Sequence, residues 1–317
     1  MFRKSRVLVV GGGFLGSHVA LALAEQGFTA VLLTRSYPNA DVARAIDPDD
    51  LIVGDACDAT LTRNLVASVC HIVVCAGGLL PAAAEQHPDL DASMAIELLS
   101  NVTRATAGRR DLRLLFMSSG GTVYGQPRSL PVDERHPTGP VGAYGRVRLE
   151  CERLLARRRA DRRLLSCSLR CANAYGEYQQ PNRGQGAVAT FLDRVRNGLP
   201  IDVYGDGSAV RDYVYAGDVA RAVVALLKGE NLPPVVNVGS GRGTSVVELL
   251  ELIEREVGRS AEIVRYPARA FDVPAIVLSV NRLTQLVRVS PTPLEEGIRL
   301  THRWLGARSP VGANCVD

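Results

Sequence analysis

The sequence predicts an α/β fold, a doubly wound parallel sheet followed by a smaller C-terminal lobe, on three observations. Short β-branched runs alternate with helical segments through the first half of the chain, the runs are apolar throughout, and the alternation loosens after about Tyr175. Strands separated by helices run parallel, and a strand with no polar alternate is buried on both faces. At 317 residues the chain can bury one large α/β core, or two smaller ones, without disulfide or metal support.

The predicted strands fall at 7–10, 30–33, 51–53, 72–75, 112–117 and 164–169. Between the first two, residues 17–26 read as a helix with Val19 and Leu23 on one side, and Gly27 ends it. Turn-rich segments, Gln179-Gln180-Pro181-Asn182-Arg183-Gly184 and Tyr204-Gly205-Asp206-Gly207-Ser208, mark a second lobe. The expected division is therefore a main domain over 1–174 to which 213–238 returns, a smaller lobe over 175–306, and a frayed tail over 307–317.

Charge and composition narrow the classes of function. The net charge of +4 is spread along the chain, and the one dense basic run, 157–163, is interrupted by Asp161 and reads as a solvated helix end, so no nucleic-acid partner is expected. Seven cysteines without C-x-x-C spacing, mostly in apolar stretches, indicate reduced, cytoplasmic usage. Histidines 18, 71, 87, 136 and 302 have no metal-ligand spacing, and no metal is expected. Neither the basic start before the first apolar stretch nor the uncharged stretch between Arg63 and Glu85 reads as a leader or a span. Gly11-Gly12-Gly13 and His18 interrupt the one, Gly77-Gly78 and Pro81 the other, so no membrane association is expected.

The first strand runs directly into Gly11-Gly12-Gly13-Phe14-Leu15-Gly16 and then a helix. In that context glycines permit a tight turn, let backbone N–H groups approach a pyrophosphate, and allow close packing of helix on sheet, while the helix N-terminus favours the anion. This is a Rossmann-type dinucleotide site. The end of the second strand, Leu33-Thr34-Arg35-Ser36, carries no acid for the adenine ribose hydroxyls. That favours NADP over NAD, with Arg35 on the 2′-phosphate; stacking on adenine and facing solvent are its alternative placements. Asp55 and Ala56 after the third strand are expected at the adenine, and Ala76, Gly77 and Gly78 after the fourth beneath the cofactor.

From residue 7 to 297 the chain resembles the extended short-chain dehydrogenase/reductases, the group of nucleotide-sugar epimerases, dehydratases and ketoreductases. Besides the glycine loop, the motifs are Ser118-Ser119-Gly120-Gly121-Thr122-Val123-Tyr124-Gly125, Tyr144-Gly145-Arg146-Val147-Arg148 and Leu169-Arg170-Cys171-Ala172-Asn173-Ala174-Tyr175-Gly176. They are followed by Tyr204-Gly205-Asp206-Gly207-Ser208, Arg211-Asp212-Tyr213 and Asn237-Val238-Gly239-Ser240-Gly241. The resemblance implies that Tyr144 is the acid/base, aided by a cation four residues on and by a Ser or Thr hydroxyl. A phenol near pKa 10 needs such help at neutral pH, and a spacing of four puts both residues on one helical face.

Two positions depart from the family pattern. Arg148 stands where the family has lysine, and Gly120 where it has the catalytic hydroxyl. Arginine keeps the charge but is bulkier and planar. Ser119 and Thr122 are the nearby hydroxyls, each either a substitute or a backbone-bonded turn residue. The resemblance further implies Asn173 and Arg211 at the pyrophosphate and sugar and Asp272 near the nucleotide end. A surface ion pair of Arg211 with Asp212, and a turn role for Asp272 before Val273-Pro274, are the alternatives.

The resemblance implies first a nucleotide-sugar epimerase working at C4 with bound NAD(P). Second comes an NADPH-dependent ketoreductase of a 4-keto-6-deoxy sugar nucleotide; a 4,6-dehydratase lacks its Asp-Glu pair, since Gly121-Thr122 carries no carboxylate. A third reading, from a different class, is a dinucleotide-sensing or partner-binding protein that kept the fold without the catalysis. Homodimerisation is implied through helices over about 94–106 and 144–158.

Overall fold

The computed structural model describes residues 5–161, 164–181, 186–269, 273–288 and 290–307. Its first half alternates β1 (Arg6–Val10), α1 (Phe14–Glu25), β2 (Thr29–Thr34), α2 (Ala40–Ala45), β3 (Leu51–Val53), α3 (Ala59–Ala67) and β4 (His71–Val74). There follow α4 (Pro81–Gln86), α5 (Pro88–Ala105), β5 (Arg113–Ser119), α6 (Gly120–Val123), α7 (Ala143–Ala160) and β6 (Leu165–Cys171). With β10 (Val235–Val238), reached after β7 (Asn173–Tyr175), α8 (Ala187–Asn197), β8 (Ile201–Tyr204), β9 (Val210–Tyr215) and α9 (Ala216–Lys228), they form a seven-stranded sheet, ordered β10-β6-β5-β4-β1-β2-β3. Every pairing in it is parallel. This is the doubly wound α/β fold the sequence predicts.

The unbroken apolar strands are explained by two cores, one on each face of the sheet. Val7, Val9, Leu32, Val73 and Leu115 pack on one side with α1 and α9, while Leu8, Val10, Leu33, Ile72 and Phe116 pack on the other with α5 and α7. Alternate residues of a strand point to opposite faces, so only a strand covered on both sides is apolar throughout.

Three boundaries differ from expectation by more than one residue. Helix α1 begins at Phe14, three residues before the apolar pattern becomes visible, because the second half of the glycine loop is its first turn. Strands β5 and β6 run on into Ser118-Ser119 and Arg170-Cys171, polar residues that stay in the ladder because Ser118 and Arg170 both bond the buried carboxylate of Glu152.

Strand β9 joins β7 and, beyond it, β11 (Gly243–Ser245) and β13 (Ala275–Ile276) in a second, smaller sheet, while β12 (Ile263–Tyr266) pairs with β8. The chain therefore leaves the main sheet at β6 and rejoins it through α9 and β10. The helices α10 (Val246–Val257), α11 (Asn281–Leu286) and α12 (Leu294–Ala307) complete the chain. A third core gathers Phe191, Leu192, Tyr213, Leu249, Ile253 and Ile298 around α8, α10 and α12. The tail expected over 307–317 lies outside the described residues from 308 onward, as do Arg183 and Asp272.

Candidate active site

At the carboxyl ends of the strands lies a cleft of about 1170 Å³. Strand order reverses between β1 and β4, and the loops after these two strands diverge there to opposite sides of the sheet, which opens the crevice. Gly11, Gly13, Phe14, Leu15 and Gly16 form its wall beneath α1. A Cβ on Gly16 would come within 1.7 Å of the Gly11 carbonyl oxygen, so only glycine lets the helix start this close to the turn. Gly13, the N-cap, faces open space, and α1 begins with neither a capping side chain nor an acid in its first turn. Its unpaired N–H groups are thus available to an anion. These features fit the pyrophosphate of a dinucleotide.

Beside this wall, Thr34, Arg35 and Ser36 line the cleft where β2 ends. The Thr34 hydroxyl is spent on the carbonyl of Ser36, at 2.9 Å, and Arg35 is exposed. Asp55 and Ala56 line the cleft after β3. Their loop is fixed from behind by Thr62 Oγ1 and Asn101 Nδ2, which donate to the Ala56 carbonyl at 2.9 and 2.6 Å. Ala76, Gly77 and Gly78 form the floor after β4.

Tyr144, in the first turn of α7, and Arg148, one turn later, both line the cleft. The guanidinium carbon lies 4.9 Å from the Tyr144 ring centroid and 5.9 Å from that of Phe116. Thr122 lines the cleft as well, its Oγ1 3.4 Å from the Ser119 carbonyl, a long bond; Ser119 does not line it. Position 120 has no room for a side chain. A Cβ there would meet Leu278 Cδ1 at 2.5 Å and the Arg170 carbonyl oxygen at 2.8 Å.

Toward the second lobe the cleft is lined by Asn173, Arg211, Tyr213 and Arg269. Arg211 does not pair with its neighbour. The buried Asp212 carboxylate accepts from the N–H groups of Ser240, Gly241 and Leu278 and from Ser240 Oγ, tying β9 to two loops, while Arg211, its neighbour on the strand, lines the cleft. Among the described residues no group of three or more His, Cys, Asp or Glu could hold a metal, and no helix is long and apolar enough to cross a membrane.

With this geometry in place, comparison with known proteins is decisive at the level of family: the NAD dependent epimerase/dehydratase family matches residues 7–239. The chain belongs to that family. A UDP-glucose 4-epimerase of Mycolicibacterium smegmatis is 31% identical over 96% of this chain and 99% of its own length. The crystal structure of Thermus thermophilus UDP-glucose 4-epimerase in complex with NAD superimposes with a TM-score of 0.87 at 30% identity, covering 96% of this chain and all of that one. A dTDP-4-dehydro-6-deoxyglucose reductase of Escherichia coli is 32% identical over 59% of this chain and 59% of its own.

The structure of this family member brings together every site residue named from the sequence except Ser119, which stands back from the cleft, and Asp272, outside the described residues. Sequence reasoning missed Glu85, Arg269 and Asp91. Glu85 on α4 lines the cleft with Oε1 3.4 Å from the backbone nitrogen of Tyr144. Asp91 on α5 is fully buried, with Oδ1 3.8 Å from Arg148 Nη2. Arg269 could have been found as the cation nearest Asp272; Glu85 and Asp91 carry no local signal, since Tyr144 and Arg148, the cleft residues they meet, lie more than fifty residues away.

Proposed function

We propose that this family member is a nucleotide-sugar epimerase that inverts C4 through a transient keto sugar, with NAD(P) held along the glycine loop. The observation that carries the reading is one cleft lined together by Tyr144, the open N-terminus of α1, and Arg211 and Arg269. The full-length likeness to UDP-glucose 4-epimerases supports it.

Each group has a part. The N–H groups at the start of α1 bind the dinucleotide pyrophosphate, and Asp55 and Ala56 meet the adenine. Bound there, NAD(P) supplies a reversible hydride acceptor for C4. Tyr144 takes the proton of the 4-hydroxyl and returns it to the keto oxygen, with Thr122 as the hydroxyl at its side. Arg211 and Arg269 offer forked donors to the diphosphate of the sugar nucleotide, and Asn173 fixes the sugar. Arg35, with no carboxylate beside it at the end of β2, favours NADP.

The six cysteines among the described residues are free, in keeping with a cytoplasmic enzyme, and α5 and α7, which pack side by side, are the helices through which it would form a homodimer. The second reading, a 4-ketoreductase consuming NADPH, is motivated by Arg35 and by the likeness to the reductase of E. coli. Tyr144→Phe tests the site itself: turnover falls by about 10²–10⁴-fold while dinucleotide binding persists, and undiminished turnover contradicts the assignment.

A further inference from the structure

Arg148 does not extend freely into the cleft. Its Nη2 donates to the Gly77 carbonyl, and the same nitrogen lies 3.8 Å from Oδ1 of Asp91, which also accepts the Leu79 N–H at 2.6 Å. The side chains of the two residues are 4% and 0% exposed. The floor of the cleft is wrapped tightly around the pair: a Cβ on Gly78 would fall 1.9 Å from Asp91 Oδ1 and 3.0 Å from Arg148 Nη2, so no side chain fits there. Arg148, Asp91 and the 77–79 backbone are therefore one unit, built from α7, α5 and the loop after β4.

As a purely structural bridge this unit is poorly finished. Arg148 Nε and Asp91 Oδ2 are both buried without a hydrogen-bond partner. Leaving such atoms unpaired is costly, and a buried charge without a counter-ion costs more. A charged pair kept at that cost beside Tyr144 calls for a role in the site.

We propose that Asp91 is a positioning residue for Arg148. Its carboxylate holds the guanidinium against the Tyr144 ring and the cleft floor, and sets the net charge beneath the bound nicotinamide close to zero. The proposal rests on the reading of Tyr144 and Arg148 as the reaction centre. A near-zero charge has a specific consequence, because the oxidised nicotinamide ring is cationic and the reduced ring neutral. Removing the carboxylate disfavours the oxidised form; removing the guanidinium favours it.

The test is the ratio of dissociation constants for the oxidised and reduced dinucleotide. Both the NAD⁺/NADH and NADP⁺/NADPH pairs are titrated against the full chain by nicotinamide fluorescence and calorimetry, and the tighter pair is followed. Asp91→Asn, which keeps an acceptor for the Leu79 N–H, shifts the ratio roughly tenfold toward the reduced form, the scale of one unit charge acting within a buried site. Arg148→Gln shifts it the opposite way, and the neutral pair Asp91→Asn with Arg148→Gln returns it to within about twofold of wild type, since the two charge terms then cancel. Should Asp91→Asn not fold, Asp91→Ser, which likewise removes the charge and offers the Leu79 N–H an acceptor, takes its place in both the single and the double variant. Ratios unchanged in the single variants, with binding intact, overturn the positioning role alone and leave a structural bridge. No dinucleotide binding by the wild type overturns the reaction centre and this proposal with it.

Discussion

Arg170 on β6 forks onto Glu152 on α7, with Nη2 2.7 Å from Oε2 and Nε 3.1 Å from both carboxylate oxygens, and both residues are buried. Ser118 Oγ donates to the same carboxylate, and the guanidinium lies 4.8 Å from the ring centroid of Tyr124, whose hydroxyl donates to Asn237 at 2.6 Å. This network joins β5, β6, α7 and β10, and Ser118 carries it to the lining of the cleft.

Glu152→Ala leaves the arginine charged and uncompensated in that interior. It is expected to lower stability by about 3–5 kcal/mol, read from the midpoint of urea unfolding. Glu152→Leu combined with Arg170→Met recovers much of the loss, since an apolar pair carries no desolvation penalty.

Gly120→Ser places a hydroxyl where the family pattern has one, yet it is expected to harm the protein. The added Cβ collides with a backbone oxygen 2.8 Å away and with Leu278. Overpacking of this kind costs about 1–3 kcal/mol; a thermal melt shows the loss, and turnover does not rise.

Most of the fold was legible because it rests on local signals. The glycine loop and the apolar runs are read residue by residue, and both depend on neighbours in the chain. What stayed hidden depends on distant pairing. The polar ends of β5 and β6 belong to the sheet only because Glu152 serves Ser118 and Arg170 together. Arg148 was legible as a departure from lysine, but its partner Asp91 was not, because nothing between residues 91 and 148 announces the contact. Gly120 likewise looked like a lost hydroxyl from sequence, whereas its surroundings show a position closed by packing.

Arg35 is expected to choose the dinucleotide. Mass spectrometry of the nucleotide released from gently purified protein should find NADP(H), and Arg35→Ala should weaken NADP⁺ binding by about tenfold or more, the worth of one charge-assisted bond, with NAD⁺ unaffected. Retained NAD⁺, or equal losses for both, would return Arg35 to an adenine or solvent contact.

His18, on α1 behind the glycine loop, donates from Nε2 to the Glu177 carbonyl at 2.9 Å and packs edge-on against Phe14, Tyr178 and Tyr215. Burial pushes its pKa below the ordinary 6.5, although the Glu177 carbonyl and carboxylate pull the other way. The unfolded chain therefore binds a proton at pH values where the folded chain does not, so stability falls as pH drops below about 6.5, by at most about 1.4 kcal/mol per pH unit for one such group. His18→Gln keeps a donor for the carbonyl and should flatten the slope of urea-unfolding stability between pH 6.5 and 5; an unchanged slope would assign the acid sensitivity elsewhere, for example to His71, which burial also lowers.

The proposed C4 inversion of a nucleotide sugar consumes no net reductant. The most direct measurement is proton NMR of UDP-glucose incubated with the protein and a trace of dinucleotide. The expected result is the anomeric signal of UDP-galactose growing to an equilibrium mixture, with no change in total reduced nicotinamide. Absence of the 4-epimer, with stoichiometric oxidation of NADPH by a nucleotide 4-keto-6-deoxy sugar, would contradict it and establish the ketoreductase.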